Sequence, residues 1–154
     1  MQTPLNPNAQ AWLAALRSGD YQRGQSALHE LAGRDKKPLF CCLGVACDLF
    51  AQAHPDQGRW VKRSQPGAPM SFETATDASQ MYLPIEVSDW LGLKRRGFND
   101  SAGNAYGDFL KPNVMGLKDE PEPKTLTGLN DEEDYSFKQI ADVIESQPKG
   151  LFYA

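Results

Sequence analysis

The residues able to do chemistry in this chain gather in "LFCCLGVACDLF" at 39–50, where Cys41, Cys42, Cys47 and Asp48 interrupt an apolar run. A cysteine in the first turn of a helix has its thiolate stabilised by unpaired backbone N–H groups and the helix dipole. Cys41 or Cys42 is therefore the candidate nucleophile of a cysteine-dependent hydrolase or transferase. Such a thiol needs a base. The only histidines are His29 and His54, and His29 is the candidate. Against this stands a packing role, since free cysteine is among the most buried residue types and behaves as a small hydrophobe. The packing role carries more weight, because no motif fixes either histidine beside a thiol.

The same residues supply enough ligands for zinc, but neither C-x2-C nor H-x3-H spacing occurs, so no metal and no cofactor is expected. Three cysteines, two of them adjacent, suit reduced thiols better than a disulfide framework. Asp48 is one carboxylate in an apolar helix, and a buried charge must be paired or hydrogen-bonded. Arg17 or Arg23 is its expected partner, with a ligand contact as the alternative. "FNDSAGNAYGD" (98–108) offers Asp100, Asn104 and Asp108 as oxygen donors but lacks the spacing and terminal glutamate of a calcium loop, so it reads as a turn.

Short elements must position these groups. "NPNAQAWLAALRSG" reads as a helix with Asn8 as N-cap, Trp12, Leu13 and Leu16 inward and Gly19 as stop. Residues 24–33 suggest a second short helix through Leu28 and Leu31, and Pro38 would open the next. Over about 39–53 a helix would carry Phe40, Leu43, Cys47 and Phe50 on one face. Leu39, Cys42, Val45, Ala46 and Leu49 cover most of the rest, which makes it the central buried element. Gly44 inside it costs about 1 kcal/mol relative to alanine, and so points to close approach of another backbone or a ligand.

"GRWVKRS" and "MSFETAT" flank "QPGAP" and predict a hairpin or irregular flap within 55–82. "LPIEVSDWLGL" (83–93) is a compact helix with Pro84 in its first turn and Gly92 closing it. "RRGFNDSAGNAYGDF" (95–109) and "KPNVMGLKDEPEPKT" (111–125) read as loops with one short strand, and an acidic loop covers about 118–134. A C-terminal helix follows over about 136–146, with Ser136 and Gln139 as a capping box. The fold class is α+β and mainly helical. One compact domain, 1–154, would hold a central buried helix, a small flap and long loops.

Composition narrows the function classes. At 40% hydrophobic and 23% charged residues the chain is ordinary for a globular domain, and no apolar run is long enough to cross a bilayer. The N-terminus lacks the basic start and apolar stretch of a secretory signal, which makes the cytoplasm the expected location. The net charge is −4, and residues 101–154 hold 5 Lys/Arg against 10 Asp/Glu, so the acidity lies in the last third. No basic face is written for neutralising phosphates, and direct nucleic-acid binding is not expected. The acidic tract reads as a solvated loop, with imitation of a phosphate backbone as its alternative role.

"WLAALRSGDYQRG", "FCCLGVACDLF", "LPIEVSDWLGL" and "LNDEEDYSFKQIADVIES" occur in an order that resembles a family of small proteins common in bacteriophages and prophages. The resemblance touches most of the chain, leaves 55–80 unaccounted for, and departs at "NDEEDYSF", where the family usually has a glycine. Carried over residue by residue, its recurring positions are Trp12, Arg17, Gly19, Tyr21, Gln22, Cys41, Cys42, Gly44, Asp48, Asn130 and Asp131. It implies a setting, a phage genome in a host bacterial cytoplasm, and no mechanism. The expectation that follows is a non-enzymatic accessory binding protein that counters host defence, by sequestering a small nucleotide signal or by blocking a host protein. Its pocket is expected near the entrance of the 39–53 helix, with Arg17, Tyr21 and Gln22 supplying a charge, a stacking face and an amide. Cys42, Gly44, Asp48, Asn130 and Asp131 complete the expected ligand-binding set. Self-association into a homo-oligomer is left open.

Overall fold

A computed structural model describes residues 4–25, 27–32, 37–65, 67–93, 109–110, 124–131, 133–147 and 152. Helix α1 spans Pro7–Ser18. Its cap is Asn6 rather than Asn8: the Asn6 Oδ1 accepts the Ala9 N–H at 2.8 Å and Pro7 takes the first helical position, where a missing N–H costs nothing. Asn8 instead donates to the Trp90 carbonyl at 2.9 Å. Gly19, left-handed at φ 82°, ends the helix.

The helix expected over 24–33 is absent, and the chain forms strand β1 (His29–Ala32) there, antiparallel to β2 (Lys37–Phe40). The Leu28 N–H goes to the Gln80 carbonyl and the His29 carbonyl accepts from the Met70 N–H, so neighbouring segments take the backbone groups a helix would use. Leu28 is fully buried and Leu31 is 41% exposed, as residues three apart in a strand face opposite ways. Pro38 consequently lies in β2 and not at a helix entrance.

Helix α2 spans Cys42–Ala53, two to three residues shorter at its start than expected. The Phe40 N–H donates to the Gln22 carbonyl at 2.9 Å and the Phe40 carbonyl accepts from the Gly24 N–H at 2.7 Å. These bonds keep Phe40 extended, and Cys41 becomes the N-cap. Cys42 through Cys47 and Phe50 are all buried, and α2 packs against α1, β2 and three elements that follow it in sequence. This is the centre of the core. A Cβ on Gly44 would lie 1.7 Å from the Leu28 carbonyl oxygen, so the close approach is to another backbone. Trp12, fully buried, donates its indole N–H to the Cys42 carbonyl at 3.0 Å and locks α1 onto α2.

The flap is a sheet. β3 (Gly58–Val61), β4 (Ser71–Thr74) and β5 (Ala78–Ser79) are antiparallel in that order, with Trp60 opposite Phe72. Helix α3 (Ile85–Leu91) has Pro84 as N-cap and left-handed Gly92 as C-cap. β6 (Phe109–Leu110) pairs with β7 (Lys124–Thr125). The expected acidic loop is interrupted by α4 (Leu126–Asp131), whose Leu126 and Leu129 are buried against the core. α5 (Phe137–Glu145) begins with the capping box, Ser136 Oγ accepting the Gln139 N–H and Gln139 Oε1 accepting the Ser136 N–H. Helices and antiparallel strands share one core cluster, and the content is mixed α+β. The 98–108 segment lies outside the described residues, as does 111–123.

Candidate functional site

The turn at Gly19 sends residues 20–24 back alongside the end of β2, where residues 22 and 24 bond the backbone of Phe40. That placement lays Tyr21 across the middle of α2. Its hydroxyl donates to Asp48 Oδ2 at 2.5 Å. One helical turn on, Gln52 Nε2–H donates to the same oxygen at 2.9 Å, and Trp60 of β3 donates its indole N–H to Asp48 Oδ1 at 3.0 Å. The lone carboxylate of α2 is therefore held by neutral donors. Neither Arg17 nor Arg23 pairs with it, contrary to the expectation from sequence, and among the described residues no cationic side chain does. Burial, and secondarily the bond to Asp48, push the Tyr21 phenol above its ordinary range, so it stays a donor throughout the neutral range.

Beside this network opens a cleft of about 620 Å³. Its walls are Ala14, Ala15 and Ser18 of α1, Asp20 and Tyr21, and Asp48, Leu49 and Gln52 of α2, with Phe40 at its base. Phe40 stacks on His29 at 4.3 Å and meets Tyr21 edge to face at 5.0 Å. His29 in turn packs edge-on to Trp60, and burial lowers its pKa below the usual histidine value. Its Nδ1 is 3.4 Å from the Leu39 carbonyl, and its ring belongs to the aromatic wall.

The other sequence-predicted residues fall outside the cleft. Arg17 turns to α5 and pairs with Asp142 at 2.7 Å and Glu145 at 2.5 Å. Gln22 uses its backbone carbonyl on Phe40 and is exposed. Cys41, Cys42 and Gly44 form the buried head of α2, filled by protein: the Cys42 thiol faces the Leu126 carbonyl at 3.6 Å, and the Cys41 N–H donates to the Ala27 carbonyl. The cleft beside Asp48 and Gln52 lies about two to three turns further along the helix than this entrance.

Asn130 is fully buried and braces the cleft from behind. Its Nδ2–H donates to the Gly24 carbonyl at 2.9 Å and to Asp131 Oδ1 at 2.7 Å, while its backbone carbonyl accepts from Arg23 at 2.6 Å. Arg23 also pairs with Asp134. Of the expected ligand set, Tyr21 and Asp48 line the cleft together, and Asn130 and Asp131 support the segment carrying Tyr21. Sequence reasoning missed Asp20, Gln52 and Trp60. Gln52 was detectable four residues after Asp48 on the same helix face. Trp60 gave no signal, since it reaches Asp48 only through the tertiary packing of β3.

A second cleft, of about 860 Å³, opens past the end of α2 among Asp56, Arg59, Glu73, Thr74 and Glu86. Thr74 Oγ1 and Glu86 Oε1 are shut from solvent there without a hydrogen-bond partner among the described residues. None of the sequence-predicted residues lies in it. No group of His, Cys, Asp and Glu among the described residues is arranged to hold a metal ion, and no helix among them is long and apolar enough to cross a membrane.

Fold and cleft together define a small α+β domain built round one buried helix, with a carboxylate-bearing cleft on that helix's partly exposed side. The chain belongs to the family described as Domain of unknown function (DUF8296), whose model matches residues 7–148. No match was found among curated proteins or among solved structures.

Proposed function

We propose that this chain is a non-catalytic accessory binding protein of the bacteriophage type, and that it counters host defence by blocking a host protein through the Tyr21–Asp48 cleft. The charge of that cleft carries the reading. Among the described residues that line it are the carboxylates of Asp20 and Asp48 and no Lys, Arg or His. Arg17, expected to supply the pocket's positive charge, is already engaged by Asp142 and Glu145. A phosphate-bearing nucleotide signal would enter against like charge, which disfavours it. A basic group of a protein partner would enter with complementary charge.

The cysteine-dependent alternative needs a thiolate that a substrate can reach. Cys41 and Cys42 are 2% and 0% exposed, and His29 is stacked on Phe40. The phage setting rests on the sequence resemblance alone.

Two measurements test the reading. Purified protein heated with mononucleotides and cyclic dinucleotides should show no saturable rise in melting temperature. Expressed in bacterial strains carrying phage-defence systems, the chain should restore phage plating in at least one, and Asp20→Lys, a change at an exposed side chain, should abolish the effect. A nucleotide that stabilises the protein saturably would overturn the proposal, as would full protection by Asp20→Lys or no restored plating in any strain.

A further inference from the structure

The hydrogen-bonding capacity left open in the cleft is mostly acceptor, and from this we infer that the group received there is an arginine side chain of the partner, an inference that rests on the reading just proposed. The one proton of the Tyr21 hydroxyl is given to Asp48. The Ser18 hydroxyl donates to the Ala15 carbonyl at 2.7 Å and accepts the Asp20 N–H at 3.0 Å, so its proton is spent within the turn. What remains is the Asp20 carboxylate, which no hydrogen bond from a described residue reaches, the unused lone-pair position of Asp48, and the Gln52 side-chain carbonyl.

These acceptors belong to different elements, Asp20 to the returning segment and Asp48 and Gln52 to α2, so they enter the cleft from two of its walls. A lysine ammonium has three donors on one compact, strongly hydrated centre and would satisfy one carboxylate while leaving the other. A guanidinium carries five donors in a flat fork and can address both walls at once. Leu49, Ala14, Ala15 and the half-buried Tyr21 ring give its methylene stem and weakly hydrated face an apolar surface to lie on.

The test is a titration of the isotope-labelled full chain, followed by amide chemical shifts, with the amides of N-acetyl-arginine, N-acetyl-lysine and N-acetyl-citrulline. Arginine amide should shift the signals of Asp20, Tyr21, Asp48 and Gln52 and bind at least about fivefold more tightly than the other two probes, a difference of about 1 kcal/mol. Asp20→Asn, at an exposed side chain that bonds nothing the fold needs, should weaken arginine binding by a similar factor with an unchanged melting temperature. Equal binding of arginine and lysine would overturn the inference and leave the proposed cation-binding cleft standing. Equal binding of citrulline and arginine, or no shift from any probe at tens of millimolar, would overturn both.

Discussion

At the scale of residues, the three cysteines and His29, which looked chemical in sequence, lie buried among apolar and aromatic neighbours. All three cysteines are buried and outside any disulfide. Burial pushes the Cys47 thiol well above its ordinary range, with Cys41 and Asp48 adding to the shift. Iodoacetamide at neutral pH should therefore label none of the three in the native protein and all three once it is denatured. Rapid labelling of native Cys41 or Cys42, read by mass spectrometry, would restore the thiol mechanism. His29 is held below its usual pKa chiefly by burial, so the folded chain keeps it neutral where the unfolded chain takes up a proton. Its contribution to stability is present above about pH 6.5 and is lost as pH falls through the lower folded pKa. Urea midpoints should fall between neutral and mildly acid pH, by less in His29→Phe than in the wild type. Asp48 was legible as an oddity, because one charge in an apolar helix must find partners. Which partners it finds was not legible, since Tyr21 and Trp60 reach it from segments 27 and 12 residues away in sequence.

At the scale of elements, what could be read was what local chemistry decides. The capping box of α5, the Gly19 and Gly92 stops, the hairpin around "QPGAP" and the buried circumference of α2 all stand as expected. The failures are β1 and the first residues of the expected central helix. There the backbone bonds of Leu28, His29 and Phe40 go to Gln80, Met70 and the 22–24 segment, none of which is visible in a local window. Leu43 and Phe50, in the first and last turns of α2, are both buried in the core, so Leu43→Ala should cost about 2–5 kcal/mol and Phe50→Ala about 3–5 kcal/mol in chemical denaturation. Small losses in both would mean that α2 does not organise the core. Gly44→Ala should be worse than an ordinary helix substitution, which would favour alanine by about 1 kcal/mol. The added methyl meets the Leu28 carbonyl, a backbone atom that cannot swing aside, and the expected outcome is a large drop in melting temperature.

At the scale of the whole molecule, α4 and α5 add to their apolar packing a charged tie to α1 and a buried amide tie behind the cleft. Arg17 spans to Asp142 and Glu145 across a surface where its partners are half exposed or more, so Arg17→Ala should cost only about 0–1 kcal/mol and leave cleft binding intact. Asn130 is different, because its amide serves the Gly24 carbonyl inside the protein. Asn130→Ala strands that carbonyl, a loss of about 1–3 kcal/mol, and frees the segment that carries Asp20 and Tyr21. Thermal melts should show the difference between the two variants, and arginine-amide titration should show weakened binding for Asn130→Ala alone. Equal effects from both would mean that the buried amide is no more than another tie.

The bond from Asn130 to Gly24 joins residues 106 apart, and those from Arg17 to α5 join residues 125 and 128 apart. A ribosome delivers the chain from the N-terminus, at about 5–20 residues per second. Asp20, Tyr21, Asp48 and Gln52 have all emerged well before α4 and α5 exist to brace them. A nascent chain therefore carries every side chain of the cleft and still lacks the buttress that gives the cleft its shape. The cleft therefore takes its shape only after α4 and α5 have followed its lining residues out of the ribosome.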